Sequence, residues 1–181
     1  MVTAMPGRRW FCLGAVAALG GCGFQPVYMP TASGKTGAAA RGLQTVFVSN
    51  IPERPGQELR QALQERFGSD SGIPPRYDLR VSFGIGGEGI GILSDTIATR
   101  VRLTGNATWT LFAHDAARTR LASGSARSID GFNIIDAQYF AADLETESVQ
   151  KRIAENIADQ IAMQLGIWFR RQAAQQAAKA G

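Results

Sequence analysis

The clearest chemical feature of the sequence is the thiol of Cys22, placed directly after Leu19-Gly20-Gly21 at the end of an apolar run, Trp10 to Leu19, that follows Arg8 and Arg9. A basic segment, a short apolar stretch and small residues at a cleavage point are the layout of a bacterial secretory signal. The apolar stretch holds ten residues, whereas a helix needs about 20 to cross a bilayer. Residues 1–21 are therefore expected to be removed as a lipoprotein signal peptide, with the Cys22 thiolate accepting a diacylglycerol. Each buried methylene of such a chain contributes roughly 0.8 kcal/mol, and two or more chains give stable anchoring. Gly23, rather than aspartate, follows the cysteine and favours delivery to the outer membrane.

Other chemistry is sparse. Cys12 leaves with the signal and Cys22 is consumed by lipid, so the mature fold is expected to hold no free thiol or disulfide, and thiolate zinc sites are excluded. The one histidine, His114, sits beside Asp115. A serine-histidine-acid triad would have to run through it, but a histidine and an aspartate between two strands read as turn residues. Gly84, Gly86 and Gly89 match the letters of a G-x-G-x-x-G phosphate loop. That loop works only where it joins a strand to a helix amino-terminus; here the next element is a strand. The segment Gly84 to Gly91 is expected to be a flexible loop or a bulged hairpin end. No catalytic residue, metal site or cofactor is expected. Loss of Arg8 and Arg9 leaves 17 basic against 15 acidic side chains, a net charge of +2 rather than +4. That balance gives little support for a nucleic-acid partner.

The elements that carry these residues follow from periodicity. Cleavage before Cys22 leaves 160 residues, the size of one domain. Residues 22–42 read as a lipidated amino-terminus and flexible tether, since Met29 to Gly42 shows no apolar period. Leu43 to Ile51 suits a strand. Gln57 to Phe67 places Leu59, Ala62, Leu63 and Phe67 on one helical face, ended by Gly68. Tyr77 to Ile85 alternates, with Tyr77, Leu79, Val81, Phe83 and Ile85 on one side. Thr99 to Ala113 is the clearest long strand, and His114 to Thr119 turns the chain into a partner, Arg120 to Asp130, with Leu121 and Ile129 expected inside. The small residues between them leave room for Trp109 to lie flat. Tyr139 to Arg171 is a long helix with a stripe from Leu144 to Trp168 flanked by alanines. One domain is expected over residues 43–171, in the order βαβββα, and 172–181 is expected to be a flexible tail.

With that order in place, Cys22-Gly23-Phe24-Gln25-Pro26-Val27-Tyr28 resembles the amino-terminus of the alphaproteobacterial LPS-assembly lipoprotein (LptE) family. Thr99-Arg100 at the start of the long strand and Tyr139-Phe140-Ala141 at the start of the last helix are similar to it too. The resemblance implies an α+β fold, a four-stranded mainly antiparallel sheet with two helices packed on one face. It also implies a role without catalysis: plugging and supporting assembly of the LptD outer-membrane β-barrel, which inserts lipopolysaccharide into the outer leaflet. The implied partners are that barrel, lipopolysaccharide itself, and the membrane through the lipid.

A plug in a polar lumen needs a hydrophilic face, and guanidinium groups bind phosphates bidentately. Arg80, Arg100, Arg102, Arg118, Arg120 and Arg127 are thus candidate lipopolysaccharide or barrel-wall contacts, against the plainer alternative of ordinary solvated strand residues. A different class of protein, a free-standing periplasmic lipid-binding or adaptor lipoprotein with no barrel partner, would need an apolar cavity between sheet and helices.

Overall fold

A computed structural model describes residues 37–68, 72–92, 98–133 and 139–181. The elements are α1 (Ala38–Leu43), β1 (Val46–Val48), α2 (Arg54–Phe67), β2 (Tyr77–Ile92), β3 (Ala98–Ala113), β4 (Arg120–Asn133) and α3 (Tyr139–Ala180). The strands form one sheet in the order β1-β2-β3-β4; β1 runs parallel to β2, and the other pairs are antiparallel. The expected α+β class, with its mainly antiparallel four-stranded sheet, is the observed one.

Period two in the strands sorts side chains into a helix-covered face and an open face. Leu79 and Val81 of β2 and Leu103, Ala107, Trp109 and Leu111 of β3 are buried, and they share one core with Leu59, Leu63 and Phe67 of α2. From α3 come Val149, Ile153, Ile157, Ile161, Leu165 and Phe169, with Ala154, Ala158 and Ala162 beside them. Both long helices therefore lie on the same side. Pro55 in the first turn suits the start of α2, and Gly68, in the left-handed region at φ 65°, ends it with its N–H directed at the Gln64 and Glu65 carbonyls.

Four local expectations are corrected. The glycine-rich segment is neither a loop nor a hairpin end: β2 continues to Ile92, and Gly84, Gly86 and Gly89 pair with Asn106, Thr104 and Val101. Backbone ladder bonds need no side chain, so glycine weakens a strand without forbidding it.

Leu121 and Ile129 are not inside; they are 36% and 54% exposed. A register shift at Leu111/Phe112 resets β4 so that Ala122, Gly124, Ala126 and Ser128 face the helices. Those small residues serve close approach. A Cβ on Gly124 would lie 2.8 Å from both the Trp109 ring and Gln164 Oε1, so the indole packs against β4 where a side chain is missing.

The end of the aperiodic stretch is helical, and α1 buries Ala39 and Leu43. Gly42 allows that contact, since a Cβ there would meet the Phe169 ring at 2.4 Å. As a consequence β1 is shorter than Leu43 to Ile51. Lastly, α3 runs through the expected flexible tail to Ala180, because alanine, glutamine and lysine are strong helix formers.

The helices also close the edges of the sheet. On β4, Gln160 accepts from the Arg127 N–H through Oε1 at 3.3 Å and donates to the Arg127 carbonyl at 2.9 Å, and Gln164 donates to the Ser125 carbonyl at 3.0 Å. On β1, Arg60 Nε donates to the Val48 carbonyl at 3.4 Å. Unpaired strand edges invite other chains, and these side chains occupy part of each edge.

Candidate functional site

The open face is built by the residues that alternate with the core. Asp78, Arg80 and Ser82 come from β2, and Arg102, Thr104, Asn106, Thr108, Thr110 and Phe112 from β3. Ser123, Ser125, Arg127 and Ile129 come from β4. Hydroxyl, amide and guanidinium groups dominate, and the described helices leave this side uncovered.

The six arginines are brought to this half of the molecule but not to one cluster. Arg80 is opposite Thr110, whereas Arg102 is eight residues further along β3, roughly 27 Å at about 3.4 Å per residue. Arg100 and Arg102 thus occupy the far end of the hairpin. Arg127, opposite Asn106, lies midway, and Arg80, Arg118 and Arg120 lie at the end made by the β3–β4 turn. Arg102 is paired with Glu88 at 3.1 Å, both side chains at least half exposed, a pair that contributes little to stability. Arg120 donates to Ser123 Oγ at 2.6 Å. Cys22 lies outside the described residues.

Where Arg80, Arg118 and the β3–β4 turn meet, there is a cavity of about 310 Å³ lined in part by Phe47, Ser49, Asp78, Arg80, His114 and Arg118. Phe47 is 47% exposed; its strand neighbours Val46 and Val48 turn inward, which sends the ring to the open face beside its register partner Asp78. The Arg80 guanidinium sits 5.2 Å from the centre of the Phe112 ring, a cation–π contact that holds it over the face. His114 pairs with Asp78, not with its sequence neighbour Asp115: Nδ1 and Oδ1 are 2.9 Å apart. The turn places it there, because the His114 N–H donates to the Arg76 carbonyl and the Arg118 N–H to the Asp115 carbonyl. Arg118 has φ 47°, a left-handed conformation that a long side chain adopts at a cost.

Sequence reasoning missed Phe47, Ser49 and Asp78 as members of this site. The available signal was the inward-outward alternation around Phe47; the convergence of two strands and a turn was not readable without register. The triad option for His114 has no support in geometry, since no serine hydroxyl is bonded to the ring among the described residues. Those residues also include no group of three or more histidine, cysteine, aspartate or glutamate side chains suited to a metal. No described helix is long and apolar enough to cross a membrane.

Beside the open face, Asp130 ties β4 to α3. Its Oδ2 accepts from Arg152 Nε at 2.7 Å and its Oδ1 from the Gly131 N–H at 2.7 Å. The Arg152 hydrogen bond, set against partial burial and helped by the Gly131 N–H, holds the Asp130 carboxyl below the usual range.

Taken together, these features define a small sheet-and-helix domain with one sealed face and one polar, open face, a layout suited to docking. The chain belongs to the LptE lipopolysaccharide-assembly family, whose model matches residues 43–165. Solved structures share the fold. A Caulobacter crescentus chain assigned as a lipoprotein is 21% identical, with a TM-score of 0.63 over 74% of this chain and 98% of that one. Rare lipoprotein B of Shewanella oneidensis is 10% identical, with a TM-score of 0.51 over 76% and 98%. Lipoprotein B of Nitrosomonas europaea is 16% identical, with a TM-score of 0.51 over 68% and 82%. No curated protein sequence matches the chain.

Proposed function

We propose that this chain is an outer-membrane lipoprotein, acylated at Cys22, that plugs and supports the assembly of an LptD-type β-barrel during insertion of lipopolysaccharide into the outer leaflet. Membership of the LptE family sets the process. The observation that carries the plug reading is the open sheet face, where Thr104, Asn106, Thr108, Thr110, Ser123 and Ser125 stand without a covering layer among the described residues. A barrel lumen is polar, and the hydroxyl and amide groups of such a face suit lumen-wall donors and acceptors. The role requires no catalysis.

The free-standing lipid-binding alternative fares worse on packing. The space between sheet and helices that would have to hold an acyl chain is filled by Leu79, Leu111, Ile153, Ile157 and Ile161, all at 0% exposure. Affinity purification of the lipidated protein from outer membranes tests the proposal. The expected result is a stoichiometric β-barrel partner, with barrel misassembly and loss of surface lipopolysaccharide on depletion. Purification without a barrel, or normal barrel maturation in depleted cells, would overturn it.

A further inference from the structure

The edge of β2 that faces away from β3 is paired over a short stretch only. β1 meets Tyr77 to Leu79, yet β2 runs on to Ile92. On that side the Tyr77 N–H donates to the Thr45 carbonyl and the Leu79 carbonyl accepts from the Ser49 N–H, whereas the Arg76 carbonyl accepts from His114 on the β3 side. By the same alternation the backbone groups of Val81, Phe83, Ile85, Gly87, Gly89 and Gly91 point to the outer edge, and no backbone group among the described residues bonds to them there. We infer that two copies of this chain associate through this edge, β2 against β2, antiparallel about a two-fold axis at Gly86.

The devices that keep natural edges from pairing are missing from this one. Bulges, prolines and lysines are the usual protection. Here the register with β3 is unbroken from Tyr77 to Ile90, and Val81 to Gly91 contains neither proline nor lysine. The β4 edge, by contrast, has backbone groups taken up by Gln160 and Gln164. The occupant is read from the row itself. With two copies crossing at Gly86, Ile85 lies opposite Gly87, Phe83 opposite Gly89 and Val81 opposite Gly91, all in the hydrogen-bonded positions of the new ladder. Every apolar side chain of the row thus meets a glycine, and an aromatic ring laid across a glycine is a known way of stabilising a strand pair. Phe83 and Ile85 are only partly buried in the single chain, and the second copy covers them. The length fits as well: Ile92 of one copy falls opposite Arg80 of the other, the first residue past the stretch held by β1, so neither strand runs into the other copy's β1. On the open face Gly86 meets Gly86 and Glu88 meets Gly84, which brings no like charges together. The pairing needs no barrel and does not rest on the plug reading.

Sedimentation equilibrium of the full chain in density-matched detergent should show monomers and dimers in exchange. Gly86→Lys sets two ammonium groups on strand positions about 4.5 Å apart across the axis, and Gly86→Glu sets two carboxylates there. A Cβ at Gly86 has nothing within 4 Å in the single chain, so both variants should keep the parent fold, which melting curves check. Repulsion of two charges at that separation in water should weaken the dimer of each variant about fivefold at low salt. An equimolar mixture of the two should pair at least tenfold more tightly than either alone, because attraction replaces repulsion. Ile85→Pro deletes an N–H of the free edge and none of the ladder to β3; it should abolish the dimer while the chain stays folded. A monomer at every concentration, a Gly86→Lys chain that dimerises like the parent, or a mixture that pairs no better than its components would each overturn the inference. An edge taken instead by residues 22–36 of the same chain, or by a strand from another protein, leaves the purified chain monomeric and counts against it. A monomeric chain that still copurifies with a barrel sinks this inference and leaves the plug reading intact.

Discussion

Trp109 and Gln164 are joined by a hydrogen bond from the indole Nε1 to the amide Oε1 at 2.9 Å, while the same amide donates to the Ser125 carbonyl at 3.0 Å. One side chain of α3 thus satisfies the polar edge of a core indole and part of the open edge of β4. Trp109 is 4% exposed, and a buried donor left without a partner costs about 1–3 kcal/mol. Gln164→Ala should lower unfolding free energy by about that amount in urea titrations. Gln164→Leu, which refills the volume but not the acceptor, should recover only part of it.

The second consequence concerns association. Gln160 engages both backbone groups of Arg127, so Gln160→Ala combined with Gln164→Ala strips three hydrogen bonds from the β4 edge. An exposed edge on a strand that also carries Ile129 at 54% exposure is a template for a second strand. Light scattering should find the double variant shifting toward dimers and larger species at concentrations where the parent chain does not.

Much of this arrangement was legible in residue patterns, and the failures have a common cause. Alternation in Tyr77 to Ile85 and the four-residue stripe of α3 from Val149 to Leu165 gave the correct buried faces because each is a long periodic signal with large side chains; the ends of the stripe did not hold, since Leu144 is 70% exposed and Phe169, next to the half-buried Trp168, is the aromatic in the core. In β4 the inward residues are Ala122, Gly124, Ala126 and Ser128, and size reversed the usual reading: the apolar Leu121 and Ile129 were the ones displaced outward, since α3 and the Trp109 ring need the space. The six arginines were correctly placed among the wet residues. Their separation along the sheet depends on register, which hydrophobic periodicity does not encode. The pocket escaped notice because Phe47, Asp78 and His114 are distant in sequence and meet only when β2 pairs with β1 on one side and β3 on the other.

Acid should loosen the contact between β4 and α3. The Asp130 carboxyl titrates below its ordinary value, chiefly through its hydrogen bond from Arg152. A carboxyl depressed in the folded state adds stability that is present above its unfolded value and is lost as pH falls through the folded one. Asp130→Asn keeps the shape and removes the charge. Its melting temperature should lie below that of the parent chain at pH 7, and the two should converge as pH falls below the ordinary carboxylate range. A gap that persists unchanged at low pH would show that the pair does not act through ionisation.

On the proposed function, anchoring runs through the acylated sulfur of Cys22. Cys22→Ala should leave the protein without acyl chains, visible as loss of the lipid mass in intact-mass spectra. Without cleavage at that position the signal segment should remain attached. Membrane fractionation and intact mass together distinguish this from an ordinary secretory signal, for which Cys22→Ala would still be processed to the same length.

Two glycines on neighbouring strands should respond to substitution with opposite sign. Gly105 of β3 faces α3, and a Cβ there would stand 2.3 Å from Ile153 Cγ2 and 3.1 Å from Ile157 Cδ1. Gly105→Ala therefore forces α3 away from the sheet, an overpacking cost of typically 1–3 kcal/mol. Gly84 of β2 belongs to the open face and has nothing within 4 Å of a built Cβ. Because β2 is a strand through this region, Gly84→Thr removes unfolded-state freedom and adds a β-branched residue where a strand favours one. It should raise stability by about 0.4–1 kcal/mol. Were the segment Gly84 to Gly91 a loop, Gly84→Thr would leave the urea midpoint unchanged or lower it, so the sign of that shift tests the strand directly.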